Sequence, residues 1–112
     1  MENIIEIKSF NFAIRIVNLY KFLCEKSEFT LSNQLLRSGT SIGANVAEAE
    51  QAQSTADFVS KMSIALKETS ETKYWLRLLH KTDYITNMQF NSIFEDCVEL
   101  EKILVSIMKS SK

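Results

Sequence analysis

Residues 55–81 read TADFVSKMSIALKETSETKYWLRLLHK. Phe58, Met62, Ala65, Thr69, Thr72, Leu76 and Leu79 follow one another at spacings of four, three, four, three, four and three. That alternation keeps one stripe of a helix turned toward partner helices along a seam. Two threonines occupy its centre. Ser54, with Asp57 three residues on, is a capping-box-like start with Asp in place of the usual Glu or Gln. The stretch predicts a helix of about 27 residues, too long to stand alone and too amphipathic to be buried all round.

A second seam lies downstream. Phe90, Ile93, Cys97, Leu100, Leu104 and Ile107 repeat the pattern from about Asn87 to Lys109, behind a Thr86/Gln89 capping pair. Upstream, a segment from about Leu31 to Gln51 carries Leu35, Leu36, Ile42, Val46 and Ala47, with Thr30 as its expected N-cap. The first segment, from about Asn3 to Lys26, has two apolar stripes. Phe10, Ile14, Val17 and Cys24 form one; Phe12, Ile16, Leu19 and Leu23 form the other. One stripe suffices for a helix packed on its own subunit. Two predict neighbours on more than one side, and so oligomerisation. The connections are short, near residues 27–30, 53–54 and 82–86. Short links between long helices predict a single domain over residues 1–112: all-α, an antiparallel up-down-up-down four-helix bundle.

Composition agrees. The chain of 112 residues has no proline and two glycines, against roughly five and eight expected at average usage. Sandwiches and barrels need turn residues too often to fit, and no glycine-rich phosphate loop can be built. Thirteen basic and fourteen acidic residues give a net charge of −1, so there is no global field to attract nucleic acid or anionic membrane. No apolar run is long enough to span a bilayer. The opening MENIIEIKSF lacks a basic n-region, so no secretory signal is expected. Cys24 and Cys97 are read as free thiols of a cytoplasmic protein.

The chemistry usual inside helix bundles is missing. A di-metal carboxylate centre needs Glu-x-x-His pairs, but the single histidine, His80, is preceded at that spacing by Arg77. His80 is expected at a helix end, near the terminal carbonyls. Cys97 falls on a core seam, and Cys24 on an apolar stripe. Lys67 and Glu71 read as an i,i+4 pair. No enzyme, metal or cofactor is expected.

Other residues point to contacts. Gly39 and Gly43 stand four apart on one helix face, and Ala47 extends the row. Each glycine costs a helix interior up to about 1 kcal/mol relative to alanine, which close approach of another helix would offset. Asn45 and the hydroxyls of Thr40 and Ser41 are placed to hydrogen-bond at that approach. Lys73, Arg77 and Lys81 recur every fourth residue, a row able to contact phosphates or to settle at a helix C-terminus. Glu95, Asp96, Glu99 and Glu101 oppose it in sign. Of adjacent Tyr74 and Trp75, at least one must face away from the seam, as an interface aromatic would.

The runs QLLRSGTSIGANVAEAEQAQSTADF (34–58) and KMSIALKETSETKYWLRLL (61–79) resemble the bacterial 23S rRNA intervening-sequence proteins, a four-helix-bundle family. The resemblance implies an antiparallel four-helix subunit, assembly into a homopentameric barrel and no enzymatic activity. It also assigns structural roles: Arg37, Asn45 and Glu48 as polar interface or bundle-fixing residues, Glu68 and Glu71 as candidates for pairing between subunits. The accessory variability proteins of diversity-generating retroelements resemble this fold and partner reverse transcriptase and nucleic acid. They are strongly basic, unlike this chain. The expectation is therefore a non-enzymatic homo-oligomer, pentameric by resemblance and a scaffold in role. The alternative is a nucleic-acid-binding accessory protein using Lys73, Arg77 and Lys81.

Overall fold

The computed structural model describes residues 3–111. Four helices follow in order: α1 (Ile4–Glu25), α2 (Thr30–Ala49), α3 (Thr55–Lys81) and α4 (Asn87–Ser110). Each packs on the next, and α4 closes on α1. Side-chain pairings fix the directions. Gly39 lies on Ile16 while Gly43 lies on Ser9. Arg37 reaches Glu68 while Glu48 reaches Lys61. Lys73 meets Glu101 while His80 meets Asn87. Along every seam one residue number rises as the other falls, so all neighbours are antiparallel, in a body 44 × 22 × 20 Å.

Both predicted seams supply the core. Met62, Ala65, Thr69, Thr72, Leu76 and Leu79 of α3 are buried, as are Ile93, Cys97, Leu100 and Leu104 of α4. From α1 the core takes Ile5, Phe12, Ile16 and Leu23, and from α2 Leu35, Ile42, Val46 and Ala49. Polar groups inside are satisfied locally. Thr72 and Ser38 hydroxyls meet at 2.9 Å across α2 and α3, and Thr69 donates to the Leu66 carbonyl at 2.6 Å.

The helix ends are set by side chains. Ser54 accepts from the Asp57 amide at 3.0 Å, but the Asp57 carboxylate turns to the Gln53 amide. Thr86 and Gln89 form a complete capping box. Thr30 does not cap α2: it lies inside the helix, and Phe29 at the cap position makes no side-chain bond. Glu28 takes over from outside. Its carboxylate accepts from the amides of Leu31 at 3.2 Å and Ser32 at 2.7 Å, which compensates its burial to 8% exposure. The C-terminal ends of α1 and α3 close alike. Glu28 N–H bonds to Leu23 O, and Tyr84 N–H to Leu79 O, each at 3.0 Å. Between helix and returning chain sit Ser27 and Asp83 at φ 61° and 66°, a Schellman closure without glycine.

Candidate functional site

The two stripes of α1 part company in the folded subunit. Phe12, Ile16 and Leu23 go into the core. On the other side Ile4, Ile7, Phe10 and Ile14 lie exposed at 58%, 44%, 66% and 47%. Val17 and Cys24, which extend that stripe in sequence, are half-buried. Beside Phe10 runs a shallow groove of about 430 Å³ between α1 and α2, lined by Ala13, Thr40, Gly43, Ala44 and Ala47. Small side chains make its floor. Ala47 is exposed in it, so the small-residue row begins buried at Gly39 and ends at the surface.

The glycines are where α1 and α2 come closest. A Cβ at Gly39 would stand 2.7 Å from the Ile16 side chain. At Gly43 it would stand 3.2 Å from the Ser9 carbonyl oxygen, a backbone atom. The sequence suggested that Asn45, Thr40 and Ser41 bridge this approach; they do not, and Ser41 donates to Arg37 O at 2.5 Å on its own helix. Asn45 donates to Ser41 O at 2.8 Å and Thr40 to Leu36 O at 2.6 Å, one turn back on their own helix. Such back-bonding satisfies a polar group mid-helix without a partner helix.

On its other side α2 carries Arg37. Its guanidinium bonds the Glu68 carboxylate at 3.0 Å and also that of Glu71. Trp75 Nε1 donates to the same Glu71 carboxylate at 3.0 Å. Glu68 and Glu71 are thus engaged within one subunit, and the Lys67–Glu71 pairing gives way to the forked donor across the seam. Trp75 is half-buried; its neighbour Tyr74, at 56% exposure, is the outward member of the pair. Glu48 makes only a 3.5 Å contact to Lys61 at the rim.

The cation row divides. Lys73 is held by Glu101 at 3.0 Å. The other acids of α4 do not oppose the row: Asp96 pairs with Arg15 at 2.6 Å and Glu99 with Lys8 at 3.0 Å, both on α1. Arg77 and Lys81 are exposed and, among the described residues, have no acidic partner within 4 Å. They flank a groove of about 510 Å³ between the end of α3 and the start of α4. Its rings are Tyr74, His80, Phe90 and Phe94. His80 lies flat on Phe90 at 4.2 Å and 11°, and Phe90 on Phe94 at 4.8 Å and 30°. The His80 Nε2 meets Asn87 Oδ1 at 2.6 Å. The expected carbonyl partners are taken instead by the Thr82 hydroxyl, which bonds Leu78 O at 2.7 Å. Sequence reasoning missed this groove because its rings come from two helices; the adjacent Phe90 and Phe94 were the available signal.

Burial pushes the Cys97 thiol up to about 12, with Glu101 adding to the effect. It stays neutral and donates to Thr69 O at 3.6 Å. Among the described residues no three His, Cys, Asp or Glu side chains gather to hold a metal, and no helix is long and apolar enough to cross a membrane.

The sequence model of the 23S rRNA-intervening sequence proteins matches residues 1–106. The chain is also similar to a protein with unknown function from the S23 ribosomal protein family of Bacteroides thetaiotaomicron, known by crystal structure. Identity is 61%, the match covers 95% of this chain and 99% of that one, and the TM-score is 0.93. No curated protein matches.

Proposed function

The chain belongs to the 23S rRNA-intervening sequence protein family, and from that premise we propose that it is a non-enzymatic assembly protein whose working form is a homo-oligomer, a pentamer acting as a cytoplasmic scaffold. The outer face of α1 carries this reading. Ile4, Ile7, Phe10 and Ile14 put four large apolar side chains in one exposed row, beside a groove floored by glycine and alanine. A contiguous apolar face of this kind marks an interaction surface, and an exposed aromatic next to a shallow pocket is the usual anchor of one. A ring of five uses two different faces of each subunit, so the α1 face would dock on another part of the next copy.

Light scattering on the purified protein tests the proposal. The expected mass is five times the 12.9 kDa of one chain. Phe10→Asp should yield single chains with unchanged helix content, because Phe10 contributes little to its own core. Wild-type protein that scatters as a single chain at micromolar concentration would overturn the assembly.

A further inference from the structure

We propose that the groove between the end of α3 and the start of α4 binds an unpaired base of a single-stranded nucleic acid, with the adjoining phosphates held by Arg77 and Lys81. The site is present in each subunit, so the inference stands apart from the pentamer and gives the nucleic-acid alternative a specific location.

His80, Phe90 and Phe94 form a continuous stack, at 4.2 Å and then 4.8 Å, and Tyr74 stands 56% exposed on the same groove. Phe90 is already covered by His80 and Phe94, so a flat aromatic ligand would stack on the exposed Tyr74 ring and the outer edge of that column, and stacking is tolerant of which base is offered. The volume of about 510 Å³ is within the range of sites for ligands of this size. Charge selects further. Arg77 and Lys81 line the groove and no carboxylate does. The third cation of the row, Lys73, is already neutralised by Glu101. Two adjacent cations over a stack of rings match a nucleotide: base on the rings, anion on the rim. A neutral peptide would leave the cations unused. A duplex is disfavoured because its bases are already stacked and paired, and two free cations on a chain of net charge −1 cannot follow a continuous double helix.

Fluorescence anisotropy of a short labelled oligouridylate at low salt, with the full-length protein, reads the binding. The affinity should fall with added salt at a logarithmic slope near −1.4 if two phosphates are neutralised in one groove. Tyr74→Ala, at an exposed position, should weaken binding roughly ten-fold, within the range for one stacked base. The double variant Arg77→Glu/Lys81→Glu should abolish it, with circular dichroism and scattered mass unchanged. Uridine monophosphate should compete only weakly. The proposal is overturned if no single strand binds at low salt, if duplex RNA binds as well, if the free mononucleotide competes as well as the strand, or if both variants bind like the wild type. It is equally overturned if the charge-reversed variant dissociates the native oligomer, for the groove would then be a subunit contact. The scattered mass of the wild type, taken on the same sample, separates failure here from failure of the assembly.

Discussion

Toward α1, helix α2 presents Gly39 and Gly43, and what approaches them is the Ile16 side chain and the Ser9 carbonyl. Toward α3 it presents Ser38 and Arg37, which meet the Thr72 hydroxyl and the Glu68 and Glu71 carboxylates. The two seams are a few ångströms apart on one helix, yet they are specified differently. On the first, position is set by exclusion: a Cβ would collide with Ile16 at Gly39 and would press on the Ser9 carbonyl at Gly43. On the second, it is set by directed bonds between groups that must be paired once they leave water. A steric seam should tolerate loss of charge but not gain of volume. A bonded seam should behave in the opposite way.

The strongest test of that contrast is Gly39→Leu. Its Cβ alone would meet Ile16 at 2.7 Å, and Ile16 is completely buried. The loss should be about 3 kcal/mol or more, seen as a collapsed urea midpoint. Gly43→Leu comes next. Its Cβ meets a backbone atom at 3.2 Å, but the rest of the side chain can turn into the α1–α2 groove. A destabilisation of about 1–3 kcal/mol is expected, together with a change in scattered mass. Unchanged melting temperature and mass would break the steric reading. Arg37→Ala probes the other seam and should cost about 1–2 kcal/mol, because Glu68 at 7% exposure is left without its cation. The half-exposed guanidinium keeps the figure below that of a fully buried pair. Adding Glu68→Gln should recover part of the loss; if it deepens it, the bonded reading fails. Lys61→Ala removes only the rim contact to Glu48 and should shift stability by less than about 0.5 kcal/mol.

The steric seam was readable in the sequence and the bonded one was not. Gly39 and Gly43 declare themselves because glycine inside a helix is unfavourable without a reason, and their spacing puts them on one face. The partners of Arg37 depend on how α2 and α3 slide past each other, which residue spacing does not encode. Glu71 therefore looked like a partner for Lys67, whereas a cross-seam guanidinium offering two fixed donors wins. The same holds for Glu28. Its capping of α2 requires the preceding Ser27 to take a left-handed conformation, and nothing in the string KSEFT announces it. The seams of α3 and α4, whose end members Phe58, Phe90 and Ile107 are only half-buried, were legible through their middles, since a seven-residue period survives any choice of partner. The groove over Phe90 and Phe94 was not, because it exists only where two helix ends meet.

Ser27 and Asp83 have one further consequence. Both close a helix in a backbone conformation that costs an L-residue about 1 kcal/mol and costs glycine little, while the only two glycines of the chain lie mid-helix. The residue best suited to reversing the chain direction has been used instead to narrow a gap. Both closure positions are exposed, so glycine placed there would relieve the backbone without disturbing the core.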